Sequence, residues 1–149
     1  MTIHALHPYI HARSADEAIA FYKTAFGVTE KFRLVEPSGR IGHAELAFGD
    51  TTLMICDEFP EYDARAPREG EACPFVLHIH VDDCDAVIER AMAAGARLLR
   101  EAQDMFYGER SGLIRDPFGY SWLVGNSFEE VEPAEMQRRY TALLSDDPA

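Results

Sequence analysis

Six histidines stand in the 149 residues, and five of them fall on three short runs of strand type. Successive side chains of a strand point to opposite faces. That alternation sets His7, Tyr9 and His11 on one face of a first run, and Val76, His78 and His80 on one face of a second. His43 and Glu45 share a face of a third. Imidazoles gathered this way can ligate a divalent metal, move protons near neutral pH, or hydrogen-bond a polar ligand. Strand histidines also serve as plain interior hydrogen-bonding groups or sit exposed at strand ends, so both readings stand. Glu45 is the one carboxylate in an otherwise apolar strand pattern. If burial raises its pKa, it is the candidate catalytic general base. The alternative is an exposed side chain, or an ion pair to Arg33 or Arg40.

A second set lies in Gln103–Arg110, which reads as a loop. Tyr107 and Phe106 can stack on a planar ligand. Arg110 can grip a carboxylate or phosphate with two prongs. Equally, Arg110 can tie the loop to Asp104 or Asp116 while the aromatics pack on Trp122. The three cysteines, Cys56, Cys73 and Cys84, are odd in number, widely spaced and outside any CxxC pair. They suggest neither a disulfide framework nor a zinc knuckle, and fit a reducing compartment. Cys56 sits in an apolar run with no base near it in sequence, and reads as a small buried hydrophobe. Trp122, Phe48 and Phe75 read as core.

These residues need elements to position them, and the chain supplies those elements twice. Residues 9–27 (YIHARSADEAIAFYKTAFG) and 77–95 (LHIHVDDCDAVIERAMAAG) each give a strand run, a polar turn and an amphipathic helix ending in Gly. The closing glycines, Gly27 and Gly95, are 68 residues apart. Ser14 or Asp16 can cap the first helix, and Asp82–Asp85 the second. Strands are expected at 30–36, 42–48 and 51–56 in the first half, and at 97–101, 111–115 and 120–124 in the second, with turns at Gly49-Asp50 and Asp116-Pro117-Phe118-Gly119. The fold class is therefore α+β, with two βαβββ modules. Module one spans 1–57, a linker rich in Pro, Gly and charge 58–72, module two 73–125, and a helical tail 126–149. In the tail Met136, Tyr140, Leu143 and Leu144 share a face. Paired modules of this kind can curve around a shared cavity, where a ligand would sit.

The chain resembles the vicinal oxygen chelate superfamily, which holds glyoxalase I, bleomycin-resistance proteins and extradiol dioxygenases. The residues that carry the resemblance are Pro8-Tyr9-Ile10, Ala18–Lys23 with Phe26-Gly27, Gly42–Leu46, His80–Asp83, Arg110–Gly112 and Asp116–Trp122. The GHAEL and DMFYGERSG segments look like the glyoxalase-like branch named after a phosphonate-operon protein. The resemblance implies a glyoxalase/bleomycin-resistance-like half-barrel fold and a cavity often placed at a dimer interface. It also implies four metal ligands on four strands in the metal-dependent members. Those positions fall on His7, Val76, Met54 and Leu123, of which only His7 is a useful donor. If His7 faces the cavity, His11, His78 and His80 can join it, and a rearranged His/Glu site remains open.

The formal charge is −12, from 14 Lys+Arg against 26 Asp+Glu, which argues against nucleic acid or an anionic membrane surface as partner. No apolar run approaches a membrane span, and the first residues lack the look of a signal peptide. The expectation is a cytoplasmic homodimer that holds an aromatic or acidic small molecule between its modules, with no cofactor. His7, Tyr9, His11, His43, His78, Tyr107 and Arg110 are its candidate ligand contacts. The alternative is a lyase, isomerase or dioxygenase assisted by Zn, Ni, Fe or Mn, with Glu45 or a histidine as base.

Overall fold

The computed structural model describes residues 1–145, so the last four residues of the expected tail lie outside the described residues. Module one runs β1 (Tyr9–Ala12), α1 (Ala15–Phe26), β2 (Thr29–Val35), β3 (Ile41–Phe48) and β4 (Thr51–Asp57). Module two repeats the order as β5 (Val76–His80), α2 (Cys84–Ala93), β6 (Arg97–Asp104), β7 (Glu109–Arg115) and β8 (Ser121–Ser127). The tail forms α3 (Pro133–Ser145). Each module is a four-stranded sheet, ordered β1-β4-β3-β2 and β5-β8-β7-β6. In each, the first strand lies parallel to the last, and the other pairs are antiparallel.

The two helices start on the expected caps. Ser14 Oγ accepts from the Glu17 N–H at 3.3 Å, and Asp83 Oδ1 accepts from the Ala86 N–H at 3.1 Å. Gly27, at φ 67°, ends α1 in the left-handed conformation that glycine adopts without strain. A second brace repeats between modules. Asp57 accepts from the N–H groups of Ala15 and Ile41, both at 2.6 Å, and Asn126 accepts from the Cys84 N–H at 2.9 Å. From 57 to 126 and from 15 to 84 is the same step of 69 residues. The strands therefore repeat one residue out of step with the closing glycines, because α2 (10 residues) is shorter than α1 (12 residues).

Alternation divides each sheet. Ile10, Ala12, Ala44, Leu46, Leu53 and Ile55 face α1, and Ile114, Trp122 and Val124 face α2. The helices pack on one another, and the two halves share one core. Trp122 lies 4.8 Å from Phe26 and stacks on Phe48 at 5.6 Å, ring centre to ring centre, so a module-two indole fills a module-one aromatic nest. The opposite sheet faces stay open and carry exposed apolar groups, among them Phe32, Leu34 and Val76.

Half of the expected loop at 103–110 is strand. β6 runs to Asp104, β7 begins at Glu109, and a tight hairpin turn around Gly108 joins them. Charged residues at a paired strand end mask the alternation on which a sequence reading depends. Phe75 is not core: it is 43% exposed, beside Tyr120.

Glu30 pins β2 to α1. It accepts from Lys23 at 2.9 Å and from Arg33, which in turn reaches Asp16 at 2.7 Å. Arg33 foremost, then Lys23, hold the Glu30 carboxyl down to about 2, against the opposing effect of burial. A carboxyl depressed in the folded state stabilises above its unfolded value of 4.5 and loses that contribution as pH falls towards 2. Glu30→Gln is therefore expected to lower the urea midpoint at pH 7, with the gap to the parent narrowing below about pH 4.5 and closing only as pH falls through about 2. A gap of constant size across that range would count against the assignment.

Candidate functional site

The open face of module one gathers Tyr9 and His11 from β1, Met54 and Cys56 from β4, and His43 and Glu45 from β3. Register aligns them, since Tyr9 pairs with Met54 and Met54 with Glu45. Tyr9 reaches across Met54, and its O–H donates to His43 Nδ1 at 2.7 Å. His43 Nε2 lies 2.8 Å from Glu45 Oε2, so the N–H tautomer there completes a Tyr9–His43–Glu45 chain. A bulge in β2 frees Lys31, whose ammonium stands 3.7 Å from the Glu45 carboxylate and donates to Thr52.

These partners reverse the condition placed on Glu45. The His43 hydrogen bond, with Lys31 and His7 nearby, holds its carboxyl below the usual range, although burial opposes them. Glu45 is an anion that orients His43, not a carboxylic acid poised near neutrality. Neither expected arginine pairs with it. Arg33 is taken by Glu30 and Asp16, and Arg40 by Glu36 and Glu61. Burial, then the Cys56 thiol and the Glu45 carboxylate, push Tyr9 up to about 12, so its phenol stays protonated and donating.

One pair escaped the sequence reading. His11 Nδ1 and Cys56 Sγ are 3.0 Å apart, because the parallel register sets these two residues side by side. The base that Cys56 lacks along the chain stands across the β1–β4 ladder. Burial raises the thiol's pKa, which keeps it neutral.

On module two, Val76, His78 and His80 share the open face with Leu123 and Glu109. The Glu109 carboxylate lies 3.4 Å from His80 and 3.8 Å from His78, and His80 Nε2 also meets Ser127 Oγ at 3.1 Å. Glu109 stood within a stretch that read as loop; strand alternation from Ser111 would have placed it. Tyr107 turns to Ser111, at 3.4 Å, and packs edge-on against Phe106. Arg110 lies on the helix side of its sheet, donating to Asp85 at 2.7 and 3.0 Å and to Asp104 at 3.2 Å. Its guanidinium is thus committed within the protein. The candidate residues fall into separate places: Tyr9, His11, His43 and Glu45 on one open face, His78 on the other, Tyr107 and Arg110 around the β6–β7 hairpin. His7 precedes β1 and is exposed.

Between the modules lies a cavity of about 470 Å³. Phe26, Phe48, Leu53, Leu77 and Trp122 wall it, and His78, His80 and Thr51 stand at its polar side. Its size and apolar walls are those of a small-molecule site. A second hollow of about 410 Å³ lies under the linker, lined by Tyr9, His11, Phe75, Tyr120 and the arginines Arg65 and Arg68.

The family model described as Glyoxalase/Bleomycin resistance protein/Dioxygenase superfamily matches residues 4–124. The chain belongs to this superfamily. An uncharacterised protein of Mycobacterium bovis is 35% identical over 136 residues, which cover 89% of this chain and 90% of the relative. A putative glyoxylase, CFP32, of the same organism is 28% identical over 122 residues, 82% of this chain but 41% of that protein. The solved structure of TioX from Micromonospora sp. ML1 overlays with a TM-score of 0.66 at 24% identity, covering 85% of this chain and all of that one. A gene product of Arabidopsis thaliana overlays at 0.65 and 22%, covering 83% of this chain and 98% of that one. These structures share the fold.

The superfamily's metal-dependent members hold their metal with four donors on four strands, at positions that the resemblance places on His7, Met54, Val76 and Leu123. Met54 and Leu123 lie on the last strands and Val76 at the start of β5. A thioether and two hydrocarbons offer no hard or borderline donor at three of the four ligand positions. Among the described residues, no three of His, Cys, Asp or Glu converge on one point. The residues present do not fit that centre.

Proposed function

We propose that this superfamily member binds a small molecule in the cavity between its modules, without the four-ligand metal centre of its metal-dependent relatives. One observation carries the reading. An apolar, aromatic-walled cavity of about 470 Å³ sits where the modules meet, while Met54, Val76 and Leu123 occupy the ligand positions. Its walls favour an aromatic compound over an acidic one. The exposed apolar groups of the open sheet faces favour a homodimer that covers them. The net charge of −12 disfavours nucleic acid. Free cysteines at 56, 73 and 84 fit a reducing, cytoplasmic setting. The GHAEL and DMFYGERSG segments support the phosphonate-operon branch.

Tag-free protein is to be tested by elemental analysis and by thermal shift against a panel of aromatic compounds. The reading expects substoichiometric metal and a melting temperature raised by aromatic ligands. Stoichiometric Zn, Ni, Fe or Mn, removable by chelators, would overturn it.

A second, enzymatic reading rests on the Tyr9–His43–Glu45 chain. A carboxylate-backed imidazole beside a protonated phenol can pass a proton to or from a bound substrate. It predicts turnover that is lost in His43→Ala while aromatic binding in the cavity persists.

A further inference from the structure

Among the differences between the two modules, one lies at the cavity: the position equivalent to Tyr120 is Thr51. In each module the first strand is an edge, joined to its neighbour by alternate residues only. On β1, the Pro8 and Ala12 carbonyls accept from Met54 and Glu58, so the backbone groups of His11 point the other way. There they meet module two. The His11 N–H donates to Tyr120 Oη at 3.1 Å, and the Tyr120 O–H donates back to the His11 carbonyl at 2.7 Å. One phenolic oxygen satisfies both groups, with the ring packed beside Phe75. Burial pushes Tyr120 up to about 12, which keeps the phenol protonated and able to donate.

The same geometry is built on β5, one repeat later. Val81 N–H donates to the Gly125 carbonyl at 2.8 Å, so the backbone N–H and C=O of His80 point away from β8, as those of His11 point away from β4. The registers Tyr9–Met54 and His78–Leu123 fix the correspondence at 69 residues. His80 therefore stands for His11, and Thr51 for Tyr120. Thr51 has no ring. In the place of the phenol is the cavity of about 470 Å³, lined by both Thr51 and His80. The His80 imidazole is drawn to Ser127 and Glu109 on the open face, which leaves its backbone pair for an occupant.

We infer that the cavity takes a phenol, its ring against the wall formed by Phe48, Leu77 and Trp122 and its hydroxyl on the backbone N–H and C=O of His80. The inference rests on the cavity being the ligand site, and names the chemical class that fits it. The protein itself supplies the template, since Tyr120 makes this interaction at the twin position. A hydroxyl is needed that both accepts and donates. A methyl ether can only accept, and a hydrocarbon does neither. The volume exceeds one ring, so a substituted phenol fits.

The test uses the full chain with 4-ethylphenol, 4-ethylanisole and ethylbenzene. Calorimetry is expected to show 4-ethylphenol binding at least about tenfold more tightly than the other two, and NMR to show the His80 amide shifting with the phenol alone. Thr51→Tyr should fill the cavity, raise the melting temperature and abolish 4-ethylphenol binding. Thr51→Phe should abolish binding without restoring the hydrogen bonds. Equal binding of all three probes would overturn the phenol assignment while leaving the cavity a ligand site. No binding of any probe, with Thr51→Tyr no more stable than the parent, would overturn both. Should Thr51→Tyr fail to fold, a His80 amide in the parent protein that ignores saturating phenol overturns the assignment alone.

Discussion

An Asp116→Ala protein is expected to lose about 3–5 kcal/mol of folding stability. Asp116 is 3% exposed, yet its carboxylate accepts four hydrogen bonds: from the Tyr22 hydroxyl at 2.6 Å, the Trp122 indole at 2.8 Å, and the N–H groups of Phe118 and Tyr120 at 2.9 and 3.0 Å. Removing it strands buried donors, each worth about 1–3 kcal/mol when left unpaired. Burial raises its pKa and the donors pull it down, with burial the larger influence. Two of the donors shape the turn before β8, and the Tyr22 bond crosses between modules. The damage therefore extends from that turn to the aromatic core around Trp122. Urea unfolding is the measurement, with a lowered midpoint at unchanged slope. A loss under about 1 kcal/mol would show that water takes over the stranded donors, and that the carboxylate is no keystone.

Gly108→Ala is expected to cost about 2–4 kcal/mol and to loosen the tail. Gly108 holds φ 89°, a conformation that resists any side chain, and an added Cβ would fall 2.2 Å from the Glu129 carbonyl oxygen. Because that oxygen is backbone, the whole 128–131 segment would have to move. That segment is hydrogen-bonded to the same residue, since Phe128 and Glu129 both donate to the Gly108 carbonyl. Past it, α3 is moored to the hairpin by Arg139, which donates to the Phe106 carbonyl at 3.0 Å, and by Tyr140, stacked on Phe106 at 5.3 Å. Limited proteolysis should cut the tail of the variant faster than that of the parent while the modules persist. Parental resistance of the tail would refute the mooring.

The helices, their caps and the doubling of the chain were legible because periodicity and capping are local properties. Ser14, Asp83 and Gly27 act where their chemistry says they should. The loss of metal donors at Met54, Val76 and Leu123 was legible once the superfamily was recognised. What depends on pairing was not. His11 and Cys56 touch because β1 and β4 run parallel, at a separation of 45 positions along the chain. Tyr9 finds His43 only across a third strand. The condition placed on Glu45 as a base is not met for the same reason: its pKa answers to His43 and to a lysine released by a bulge, and neither can be seen along the chain. Arg110 shows the limit most plainly. Its partner Asp85 lies on a helix 25 residues away, and the pair stands outside the lining of the cavity between the modules.

The bond between Tyr22 and Asp116 also bears on the order in which a growing chain can settle. All the strands of the first sheet have been synthesised once Asp57 is made, so that sheet can form early. Yet the hydroxyl at its heart waits nearly a hundred residues for its carboxylate, and the aromatic nest around it waits as long for Trp122. A chain made only as far as module one would leave Phe26 and Phe48 without Trp122, a state open to mispairing with a neighbouring nascent chain. The two sheets share one closure, because the core of both needs the turn at 116–120, which carries the carboxylate for Tyr22 and Trp122.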